Sequence, residues 1–92
     1  MIQEPKYDFQ NGRVINRASG EAIPEDEPVF VLRGRDFHAL GTMVNYLDRL
    51  SIPAHRHAVQ ARIAQFQQFA ADNFGRMKEP DTDTSTPGWR ND

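Results

Sequence analysis

The stretch Arg33-Gly34-Arg35-Asp36, followed by His38, Thr42, Asn45 and Tyr46, concentrates the groups with the clearest capacity for chemistry. Guanidinium forks bind phosphate with two parallel hydrogen bonds, imidazole and hydroxyl add single ones, and a tyrosine ring stacks on a base. These are the groups of a site for a phosphate-bearing, nucleotide-like ligand, and they suit capture without bond breaking. Arg62 supplies a further guanidinium and Trp89 a second stacking surface. Asp36 works against an anion held on backbone N–H groups, because a carboxylate that caps the following helix occupies those donors. A ligand there depends on the side chains of Arg33, Arg35, His38 and the adjoining helix face. The plain alternative pairs the two arginines with the acidic run Glu25-Asp26-Glu27 and leaves the rest as solvated helix surface.

Other reactive types lack the spacing their chemistry needs. His55 and His57 lie two apart, which on a helix turns them about 200° from each other, so they do not chelate one ion and no metal site is expected. Three consecutive acids between Pro24 and Pro28 repel one another and stay hydrated, the opposite of the tuned surroundings of a general acid or base. Ser19, Ser51 and Ser85 occupy turn, cap and tail positions outside any nucleophile-elbow motif, and the glycines form no phosphate-binding loop. The sequence has no cysteine, which removes thiolate nucleophiles, disulfides and sulfur-ligated zinc. The protein is therefore read as a non-enzyme, without catalytic residues and without a cofactor.

Charge is distributed unevenly. Over residues 1–28, Lys6, Arg13 and Arg17 are outnumbered by Glu4, Asp8, Glu21, Glu25, Asp26 and Glu27; over 29–77, six arginines outnumber Asp36, Asp48 and Asp72; and 78–92 is acidic again. The middle of the chain is the place for an anionic partner, although its basic excess is too small for a duplex DNA footprint. No apolar stretch is long enough for a membrane span, and Met1 to Tyr7 carries charges where a signal peptide needs an apolar run, so a cytoplasmic location is expected. Ninety-two residues with 38% hydrophobic content give a small core, which makes a homo-oligomer the expected state.

The elements that position these groups read as α+β. Tyr7-Asp8-Phe9 and Arg13-Val14-Ile15-Asn16 alternate around Asn11-Gly12, a hairpin dipeptide, and a second turn follows at Ala18-Ser19-Gly20-Glu21. Val29-Phe30-Val31-Leu32 predicts a third, central strand, giving a small antiparallel sheet packed by two helices. The first helix begins after an Asp36 cap and carries Phe37, Leu40, Met43, Val44, Leu47 and Leu50 toward the core, leaving His38, Thr42, Asn45 and Arg49 on the opposite arc. The second is capped by Ser51, has Pro53 in its first turn, and runs to about Phe74 with Val59, Ile63, Phe66, Ala70 and Phe74 inward. Residues 1–77 read as one domain, and 78–92 as a polar tail that is flexible or docks on a partner through Trp89.

The string Gly20-Glu21-Ala22-Ile23-Pro24-Glu25-Asp26-Glu27-Pro28-Val29-Phe30-Val31-Leu32-Arg33, with Arg35-Asp36 after it and Lys78-Glu79-Pro80-Asp81 beyond two helices, resembles a group of small phage and prophage accessory proteins. The resemblance covers most of the chain and includes no catalytic motif. It implies a counter-defence product acting in the infected cell, either as an oligomeric sponge for a nucleotide immune signal or as a stoichiometric inhibitor of a host defence complex. In the latter, the acidic loop 25–27 would mimic nucleic acid. A structural phage protein without a ligand is the third reading.

Overall fold

The computed structural model describes residues 3–79. The chain is α+β, with strands β1 (Tyr7–Gln10) and β2 (Arg13–Asn16) followed by helices α1 (Ala39–Arg49) and α2 (Pro53–Asp72) and a single 3-10 turn at Phe74–Arg76. It divides into two compact units, Met1–Phe30 and Val31–Asp92.

In the first unit β1 and β2 form a two-stranded antiparallel sheet with Tyr7 opposite Asn16, Asp8 opposite Ile15, Phe9 opposite Val14 and Gln10 opposite Arg13. The turn between them is the one Asn11-Gly12 predicts: both residues have positive φ, 52° and 73°, the pair a type I′ turn requires. Asn16 then organises the second turn. Its side-chain Oδ1 accepts the Ala18 N–H at 2.9 Å and its carbonyl accepts the Gly20 N–H at 2.8 Å, with Gly20 at φ 75°. The chain folds back so that Ala22 makes an isolated antiparallel bridge to Ile15, and the Ile23 N–H donates to Val14. That edge of β2 is where a third strand would lie, and a single bridge at Ala22 takes it.

Val29-Phe30-Val31-Leu32 is not a strand, contrary to its pattern. The segment has no regular structure, and among the described residues no backbone hydrogen bond holds it. Its β-branched and aromatic composition records a preference for a pleated surface, and among the described residues no neighbouring strand supplies one.

In the second unit α1 and α2 pack as a helical hairpin joined by Leu50-Ser51-Ile52. Helix α2 starts on Pro53, as its missing N–H favours, but Ser51 is not its cap; that position is held by Ile52, with no side-chain bond. The α1 terminus is closed from the neighbouring helix instead. Arg56 donates from Nη1 to the carbonyls of Leu47 (2.7 Å) and Leu50 (2.9 Å), the first of which also accepts the Leu50 N–H (3.1 Å), and its charge complements the helix dipole there.

Among the described residues, Ala39 of α1 and Ile63 of α2 are the buried apolar ones, with Leu40, Met43, Leu47, Val59, Phe66 and Ala70 half-buried around them. Three members of the expected faces lie outside this core, the first being Phe37, 53% exposed where it precedes the helix start at Ala39. Val44 is turned toward solvent because the inward face centres on Ala39, and Phe74 is 79% exposed because α2 ends at Asp72, where Asn73 breaks its phase. Phe69 packs instead: its ring lies where a Cβ on Gly34 would come within 3.2 Å, and the Arg76 guanidinium sits 4.8 Å from its centre.

Candidate functional site at the start of the first helix

Asp36 is buried where the chain turns into α1. Its carboxylate accepts the His38 N–H at 2.7 Å and its carbonyl accepts the Ala39 N–H at 3.2 Å, while its own N–H donates to Arg33. The α helix proper begins at Ala39, with His38 in the flanking position and no side-chain bond at that cap. Asp36 is therefore not the N-cap the sequence predicts: that position is His38, and the Asp36 carboxylate closes a local turn ahead of it. The buried carboxylate opposes an anion at this terminus by its charge, without occupying the first donors of the helix itself.

The stretch is fastened from the far end of the unit. The Phe37 N–H donates to the Lys78 carbonyl (3.0 Å) and the Lys78 N–H to the Arg35 carbonyl (2.9 Å), forming a parallel bridge between Asp36 and Lys78. Beside it, His38 Nε2 lies 3.0 Å from Glu79 Oε2. The hydrogen bond and charge of Glu79, helped by Asp36, raise the His38 pKa above its ordinary 6.5, because they favour the imidazolium. Lys78 and Glu79 are thus paired with the helix start, although the polar run from Lys78 onward carries no periodic signal of it.

Along α1, His38, Thr42 and Tyr46 recur every four residues on one exposed stripe, with Asn45 and Arg49 beside them. Contacts within the helix engage much of this face. Thr42 Oγ1 donates back to the His38 carbonyl (2.8 Å), and Arg49 Nε donates to Asn45 Oδ1 (3.1 Å). Tyr46 is 57% exposed. Arg33 is exposed and Arg35 half-buried where the chain approaches the helix, and both take part in polar contacts. Arg62 engages along α2, donating to Gln65 and lying 5.7 Å from the Phe66 ring centre. Trp89 lies outside the described residues.

Arg33, Arg35, His38 and Thr42 lie within ten residues of one another along the chain at this helix start, and Asn45 and Tyr46 follow on α1. Among the described residues, no group of three or more His, Cys, Asp or Glu side chains is arranged to hold a metal ion, and no helix is long and apolar enough to cross a membrane. No family model, curated protein or solved structure matches the chain.

Two residues here escape sequence reasoning. Glu79 follows the last periodic residue by several positions, and only the fold brings it to His38. Arg56 carried a usable signal, a basic residue just past the turn that ends a helix, where carbonyls need donors.

Proposed function

We propose that this protein is a non-enzymatic, homo-oligomeric binding protein of phage type that captures a small phosphate-bearing nucleotide signal at the start of α1. The observation that carries the reading is the His38–Glu79 contact: the imidazole already presents Nε2 to an anionic oxygen at 3.0 Å while 64% of its side chain stays exposed. A phosphate oxygen can replace that carboxylate oxygen, with Arg33 and Arg35 adding forked donors, Thr42 and Asn45 polar contacts, and Tyr46 a stacking face. The phage setting rests on the resemblance of residues 20–36. The oligomeric state is supported by the thinness of the core, since among the described residues only Ala39 and Ile63 are buried apolar side chains.

Isothermal titration against cyclic and ADP-ribose-type nucleotides tests the reading. Binding is expected for the wild type, to be severalfold tighter for Glu79→Gln, which removes the competing charge, and about tenfold weaker for His38→Ala. Absence of binding across the panel by both wild type and Glu79→Gln overturns it.

A second reading, stoichiometric inhibition of a host defence complex, draws on the acidic turn. The Glu27 N–H donates to the Pro24 carbonyl at 3.1 Å, and the turn this closes carries Glu25, Asp26 and Glu27, all exposed. Glu25 also reaches Arg13 at 3.5 Å. Reversing the three charges should abolish binding to such a complex and leave nucleotide titrations unchanged.

A further inference from the structure

The segment Pro28–Leu32 stands out among the described residues. Val29, Phe30 and Val31 are 51%, 75% and 58% exposed, in a run whose composition is that of a strand interior. Among the described residues their N–H and C=O groups have no backbone partner. Exposed apolar side chains alternating with unbonded amides are what strand addition consumes.

We infer that this segment pairs, antiparallel and about a two-fold axis at Phe30, with the same segment of a second copy of this chain. The register follows from symmetry and charge. A two-fold axis normal to an antiparallel pair sets one residue opposite itself. With Phe30 at that position, Val29 faces Val31, Pro28 faces Leu32 and Glu27 faces Arg33 of the second copy. Acidic and basic ends therefore meet, whereas parallel pairing aligns like charges. Proline fits the same register. If the two Phe30 residues form a non-hydrogen-bonded pair, where side chains come closest, Pro28 also falls at a non-hydrogen-bonded position and its missing N–H costs no ladder bond.

Val29 and Val31 of each copy then exchange both backbone bonds with their counterparts. The ladder stops beyond Pro28 and Leu32, because the Glu27 N–H is bonded to Pro24 and the Arg33 carbonyl to Asp36. The result is a short, isologous ladder with an aromatic pair at its centre and a charge pair at each end. The inference rests on the homo-oligomeric part of the reading above and is independent of any ligand.

The test is a charge swap in the full chain, followed by sedimentation equilibrium and native mass spectrometry without nucleotide. Glu27→Arg and Arg33→Glu each set like charges opposite one another twice per dimer, and each is expected to weaken self-association about tenfold or more. Mixing the two variants restores opposite charges at both ends, so the mixture is expected to associate as tightly as wild type and as a one-to-one heterodimer. A second measurement reads the register. The sequence has no cysteine, and Phe30→Cys should cross-link copies rapidly on mild oxidation, while Val29→Cys, which faces Val31, should cross-link much more slowly. Wild type that stays monomeric at 100-micromolar concentration (roughly, the weak end for a short interface), single variants that associate like wild type, or a mixture no tighter than its parts would each overturn the inference. Because these measurements are made without nucleotide, they are read separately from the titrations.

Discussion

Replacing Arg56 by alanine tests the account of the helical hairpin most directly. The guanidinium donates to two carbonyls at the end of α1, 2.7 and 2.9 Å away, from a half-buried position on α2. Hydrogen bonds from a charged donor contribute about 1.5–3 kcal/mol, and partial exposure lets water re-bond the carbonyls, so the loss should be about 2 kcal/mol. For a cooperative unit of roughly 60 to 90 residues, unfolding entropy near 2.1 cal/mol/K per residue converts that loss to a fall in Tm of about 10–15 °C. Thermal unfolding followed by circular dichroism at the helical band measures it. Arg56→Lys should recover part of the loss through its charge at the helix terminus, and Arg49→Ala, which removes an exposed bond within α1, should cost about 0.5 kcal/mol or less. An Arg56→Ala protein melting within about 3 °C of wild type, or no lower than Arg49→Ala, would show that the two carbonyls do not depend on this side chain.

His38 is expected to titrate above 6.5 by NMR and to return toward that value in Glu79→Gln, because Glu79 is the main cause of the upward shift. Its contribution to stability is fully present below the unfolded pKa and is lost as pH rises through the folded one. Asp8 shifts the other way, lowered from 3.8 chiefly by the Gln10 side-chain hydrogen bond; its contribution is present above 3.8 and lost as pH falls through its folded pKa, and Gln10→Ala should move the carboxylate titration upward. Gly34→Leu drives a side chain into the Phe69 ring, already 3.2 Å from a Cβ at that position, and should destabilise by about 1–3 kcal/mol in denaturant titration. Asp36→Ala removes the buried acceptor of the His38 N–H and should cost about 1–2 kcal/mol, with Asp36→Asn retaining most of the acceptor function.

What could be read ahead of the structure follows the range of each interaction. Asn11-Gly12 specified its turn because positive φ at two successive residues is a local steric demand. Pro53 marked the start of α2, and the spacing of Val59, Ile63 and Phe66 fixed its inward face, for equally local reasons. Val29–Leu32 was misassigned because strand formation needs a partner, and composition does not say where that partner is or whether it belongs to the same molecule. The face of α1 was slightly rotated in the sequence reading because small Ala39 allows close helix approach and so captures the centre of the interface from bulkier Val44. At the candidate site, Arg33, Arg35, His38 and Thr42 could be grouped by proximity along the chain. Glu79 could not, since it lies 41 positions from His38 along the chain.

That separation bears on the order of events in folding. Closing so long a span before anything lies between its ends costs on the order of 3 kcal/mol in loop entropy, more than two backbone bonds and one exposed ion pair return. The Arg35–Lys78 clasp can therefore form only after the two helices have doubled back and shortened the gap. What closes last opens first, so the amides of Phe37 and Lys78 should exchange with deuterium well ahead of those inside α2, through a fluctuation that unlatches the His38 ring while both helices stay intact.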